Sequence, residues 1–146
     1  MLTQTSAPSS GAATSTPQIA YLHCEARRVA AQIATEVRAH QHPGDRITFA
    51  VLGAVRTVRE TPVLAAWFVP GRSGATAALA TAFEVIESPC STLFGVPAAD
   101  ERARWLVRVV LSLLSAPGQD ADDEERMLRR FVVPAVLSQA TDVYEL

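Results

Sequence analysis

The sequence predicts an all-α fold of about six helices, on three observations. Apolar residues recur three and four positions apart, and no stretch alternates with the period of two that a half-buried strand requires. Alanine is abundant while aromatics make up only 6%, which suits closely packed helices better than stacked sheets. Proline and glycine fall between the periodic stretches, at 43–44, 62, 70–71, 89 and 117–118, where helices start or stop. A length of 146 residues with 49% apolar side chains fits one domain with a real core.

The first segment, 1–20, is rich in Ser, Thr, Ala and Pro and carries no charge. It buries too little surface to offset its ordering entropy, so a disordered tail is expected there. Order is expected from near Tyr21, with one domain over 21–140. A first amphipathic helix over 25–40 places Ala26, Ala30, Ile33, Ala34 and Val37 on one face. His42-Pro43-Gly44 breaks it, and Asp45 is a plausible N-cap for a second helix to about Glu60. Ile47, Val51, Ala54, Val55 and Val58 form its core stripe, while Phe49 and Leu52 point away from that stripe, close to Arg56. Those two need a second neighbour, or they line a cavity.

Thr61-Pro62 is a cap followed by proline at the first helical position, which starts a short helix ended by Pro70-Gly71. A further helix is expected over 73–87 through Leu79, Phe83 and Ile86, kinked at Ser88-Pro89 and finished near Gly95. Pro97 opens a long helix with Asp100 and Glu101 early in it, where the macrodipole favours negative charge. Pro117-Gly118 closes that helix. The last one runs from acid (DADDEE) to base (RMLRR), with i,i+4 pairs Asp122–Arg126 and Glu125–Arg129 and a bend at Pro134.

The long helix after Pro97 is the most informative feature. At about 100° per residue, Trp105, Leu106, Val107, Val109, Val110, Leu111, Leu113 and Leu114 cover an arc of roughly 240°, against the roughly 100° of an ordinary surface helix. Arg104, Arg108, Ser112 and Ser115 share the remaining strip. Such a helix is buried on two sides, within a large domain or between a core and a partner. The chain is short for the first arrangement, so the reading favours an assembly surface. Its residues are Trp105, Leu106, Val109, Val110, Leu113 and Leu114, with Leu128, Phe131, Val132 and Val136 from the last helix.

Charge and cysteine usage narrow the function. A net charge of −2 and a pI near 5.9 leave no basic footprint for nucleic acid. Cys24 and Cys90 follow no pairing or metal-ligand spacing and read as free thiols in a reducing cytoplasm. No apolar stretch approaches the roughly 20 residues that span a bilayer. His23, Cys24, His40 and His42 fit no common closed metal site. Glu84 and Glu87 share a helical face without a His, Ser or Cys partner at helical spacing, and Gly71-Arg-Ser-Gly74 lacks the strand that a phosphate loop or nucleophile elbow needs. No catalytic residue, metal or cofactor is therefore assigned, and the chain is read as no enzyme.

The segment WLVRVVLSLLSAPGQDADDEERMLRRFVVPAVL, 105–137, resembles the C-terminal helical pair of TetR/AcrR-family transcriptional regulators of actinobacteria. VRTVRETPVLAAWFVP, 55–70, is similar to the middle of the same regulatory domain, and the likeness covers roughly 25–137. The resemblance implies a homodimer whose last two helices per subunit form a four-helix bundle. It also implies a cavity for a small apolar or amphipathic effector among the preceding helices. Phe49, Leu52, Arg56, Trp67, Phe68, Phe83 and Glu87 are the pocket candidates on that basis, with core packing as the plain alternative for the bulky ones. The family's helix-turn-helix head has no counterpart in this sequence, so DNA binding by this chain alone is not expected. A late-assigned start, a truncated gene or a working headless form would each account for that. The readings carried forward are an effector-sensing and dimerising domain, a stand-alone ligand-binding module, and a partner that sequesters a full-length relative. A small helical enzyme ranks last.

Overall fold

The computed structural model describes residues 16–69 and 100–141, and among these every regular element is helical. In chain order they are α1 (Thr16–Val37), α2 (Pro43–Glu60), α3 (Pro62–Ala65) with a 3₁₀ turn (Ala66–Phe68), and α4 (Glu101–Ser115). A last rod then passes through α5 (Ala121–Met127), a π-helical turn (Leu128–Val132) and α6 (Val133–Thr141). The helix expected over 73–87, the kink at Ser88-Pro89 and the stop near Gly95 lie outside the described residues, as do residues 1–15.

Three boundaries differ from the sequence expectation. The expected tail is already helical from Thr16, upstream of Tyr21. Asp45 is not the cap of α2: His42 occupies the cap in extended backbone, Pro43 follows it, and Asp45 sits in the first turn. The His42 Nδ1 accepts the Gly44 N–H at 3.2 Å, so an imidazole does the work usually given to Ser, Thr, Asp or Asn. Asp100, expected inside the long helix, is instead its cap, accepting from Arg102 N at 2.8 Å, and Asp120 accepts from Asp123 N at 2.7 Å. Thr61 precedes α3 without a side-chain cap and donates its hydroxyl to the Thr57 carbonyl.

α2 is the hub, packing against α1, α3, α4 and all three parts of the last rod. It meets α1 at Gly53, where an added Cβ would lie 3.3 Å from Ile33 Cγ2. Val29, Ile33 and Val37 of α1 close over Ala50 in this small layer. The opposite side of α2 gives Val51 and Val55 to the main core, joined by Leu106, Val110, Leu113 and Leu114 of α4 and by Leu128, Val132 and Val136 of the last rod.

That core corrects the premise drawn from the long helix. Seven of its residues, Ala103, Leu106, Val107, Val110, Leu111, Leu113 and Leu114, are buried by the chain itself. The helix is almost encircled by its own subunit, and a single chain does find the surface to cover it. Each of the buried Val and Leu side chains contributes roughly 1.5–3 kcal/mol, so burial within one chain accounts for most of the apolar character of α4. Trp105 is left 47% exposed, and Val109 is half-buried beside it.

Candidate functional site

The exposed remainder of α4 and the last rod forms a groove of about 370 Å³. Trp105, Arg108, Val109 and Ser112 line one wall; Met127 and Phe131 line the other. Met127 is 46% and Phe131 64% exposed. Large apolar side chains grouped this way, rather than scattered, mark a surface that meets another molecule. The guanidinium of Arg130 lies over the Phe131 ring, 5.4 Å from its centroid, at the open edge.

Local helix geometry decides which residues face this groove. Glu124, Leu128, Val132 and Val136, every fourth residue of the rod, are all buried. In a regular α-helix each step of four overshoots the turn by about 40°, so a face defined this way would swing away within three steps. The π turn at Leu128–Val132, closed by Val133 N–H to Leu128 O, is wider and keeps the fourth residues in line. Pro134, lacking an N–H, follows immediately. The result keeps Leu128, Val132 and Val136 inward and turns Met127 and Phe131 outward.

A second depression, about 390 Å³, lies between the end of α1, α2 and the start of α5. Phe49, Leu52 and Arg56 all line it, together with Val37, His40, Gly53 and Val55. The structure thus brings three of the pocket candidates to one wall. Phe68 is elsewhere, half-buried against the main core. Phe83, Glu87 and the Trp67 side chain lie outside the described residues. The His40 ring stacks on Phe49 at 4.1 Å and 10°.

Between the two grooves sits a charged pair that spacing along the sequence did not reveal. Glu124, which touches both depressions, receives Arg59 through two hydrogen bonds of 2.7 and 3.0 Å and Gly118 N–H at 2.9 Å. Arg59 also donates to the Leu113 carbonyl at 2.9 Å. These bonds from Arg59, and then from Gly118, hold the Glu124 carboxyl below its ordinary value, against the desolvation that pushes it up. The partners are 65 residues apart, and in sequence Glu124 is one of several acids in the run DADDEE that opens the last helix.

Among the described residues, no three His, Cys, Asp or Glu side chains come together as a metal site, and no helix is long and apolar enough to cross a membrane. Cys24 is exposed.

Comparison with known proteins adds one relative. An HTH-type transcriptional regulator of Mycobacterium tuberculosis, matched in strains CDC 1551 / Oshkosh and ATCC 25618 / H37Rv, is 38% identical over 127 residues, covering 80% of this chain. The chain spans 61% of the length of that regulator. No family model and no solved structure matches it.

Proposed function

On the premise that this chain is homologous to an HTH-type transcriptional regulator, as the resemblance in 105–137 implies, we propose that it is the effector-sensing and dimerising domain of a TetR/AcrR-type regulator. The homology over 127 residues carries this reading. Among the described residues every regular element is helical, which is compatible with a helical sensor domain.

The two grooves supply the parts. The depression at Phe49, Leu52 and Arg56 is concave and mostly apolar, the usual character of a small-molecule site. Arg56, exposed on its rim, suits a ligand with an anionic or acceptor end. The groove between Trp105 and Phe131 suits a second copy, its bulky exposed side chains filling a mirrored groove across a two-fold axis. Leu106, Val110, Leu113, Leu114, Leu128, Val132 and Val136 then support that interface from the core beneath it. Heterodimers with a full-length relative would use the same strip.

A chimera tests the assignment. It keeps the unmatched part of the Mycobacterium tuberculosis regulator and carries this chain in place of the matched part. The chimera should select a discrete DNA site from random duplexes, and the chain alone should select none. A folded chimera that selects nothing, or a chain that selects a site unaided, contradicts the proposal.

A further inference from the structure

The cap of α2 is made by a group that can lose its acceptor. A neutral imidazole with its proton on Nε2 leaves Nδ1 free to accept, as His42 does from Gly44 N–H. The imidazolium form donates from both nitrogens and accepts from neither. Its positive charge also opposes the positive end of the helix dipole. Asn or Asp at this position would cap α2 without that dependence.

What the cap fastens makes this more than a local detail. Gly44 is buried, and a Cβ there would lie 3.0 Å from Val133 Cγ1 and 3.3 Å from His42 Nδ1, so the turn is pressed between the last rod and its own cap. One residue on, Asp45 holds Arg129 at 2.6 Å, and Arg129 also reaches Glu125 at 2.8 Å. His42 and His40 both act on the Asp45 carboxyl, which is held low chiefly by Arg129. From the same turn, Arg46 donates to the His40 carbonyl at 2.7 Å. Asp45 is therefore the anion that a protonated His42 would meet, and it is already engaged by the rod.

We propose that the first turn of α2 is an acid-sensitive latch on the last rod, released when His42 gains a proton. In the neutral form His42 caps Gly44 and leaves Asp45 to Arg129. In the protonated form the cap is lost, and the imidazolium competes with Arg129 for Asp45. The rod is then freed at the segment that turns Phe131 outward. Histidine is the side chain that ordinarily changes charge between pH 5 and 8, while Asp45 is held low by Arg129.

Hydrogen exchange followed by NMR on the full chain tests this. Between pH 8 and 5.5, protection of the Gly44 amide relative to Val55 should fall about fivefold, the scale of one N-cap, and the Arg129 Nε signal should move with it. In His42→Asn both should stay constant, while in His40→Asn the fall should persist. Unchanged Gly44 protection in the wild type, an equal fall in His42→Asn, or its loss in His40→Asn would overturn the latch. If His42→Asn does not fold, the wild-type titration decides. An Arg129 signal that follows the His42 ring supports the proposal, and one that follows the His40 ring refutes it.

Discussion

At the residue scale, the Arg59–Glu124 pair ties the end of α2 to the start of α5, and Arg59 also reaches α4 at the Leu113 carbonyl. Glu124 is almost fully buried, and its oxygens are occupied by Arg59 and Gly118. Removing Arg59 leaves a buried carboxylate with one backbone donor. Breaking such a pair costs about 3–5 kcal/mol when both partners are buried. Arg59 keeps a water-facing side, so Arg59→Ala should cost about 2–3 kcal/mol in urea unfolding at pH 7. The pH dependence has a definite sign. The folded carboxyl lies below its unfolded value, so the pair stabilises above the unfolded carboxylate range and loses that contribution as pH falls through the folded value. Wild type and Arg59→Ala should therefore converge in stability toward acid; a gap constant from pH 7 to pH 3 would contradict this. Gly118 permits the same arrangement sterically. A Cβ there would come within 2.7 Å of Glu124 Cγ, a methylene that cannot swing aside while Arg59 holds the carboxylate. Gly118→Ala should destabilise by about 1–3 kcal/mol, as overpacking does, and should do so less in an Arg59→Ala background.

At the element scale, the clearest outcome concerns the long helix and the rod packed on it. Val110 is 1% exposed in the single chain, so Val110→Arg does not probe an interface; it buries a charge in the core and should unfold the protein, with a loss above about 4 kcal/mol. Phe131→Glu is the informative change. The side chain is already in solvent, so melting of the subunit should shift by no more than about 0.5 kcal/mol, while self-association should weaken; unchanged association would remove Phe131 from the interface. The apolar stripe of α2 was legible because Val51 and Val55 obey plain helical spacing, and so was the common wall of Phe49, Leu52 and Arg56, which follow one another three and four positions apart. The separation of exposed Phe131 from buried Leu128, Val132 and Val136 was not, because a π turn breaks the 100° step on which any helical wheel rests. Nor was the His42 cap, since Asp45 competes for that role in sequence, and only tertiary packing engages it with Arg129. The coverage of α4 was missed for a third reason. An arc of apolar residues shows that a helix is surrounded, but not whether its own chain or another surrounds it.

At the scale of the whole molecule, two shallow grooves share a wall at Glu124, and α2 touches nearly everything between them. Under the proposed function, a ligand seated against Phe49 and Leu52 would press on the helix that packs against the proposed docking strip. The proposed dimer depends on one strip, in which Trp105, Val109, Met127 and Phe131 would close against a second copy. Sedimentation equilibrium on the wild type and on Trp105→Glu/Phe131→Glu tests this directly. The wild type should sediment at twice the chain mass of 15.6 kDa, and the double variant at the single-chain mass with unchanged helical circular dichroism. A wild type that stays single at micromolar concentration, or a folded variant that stays paired, contradicts it.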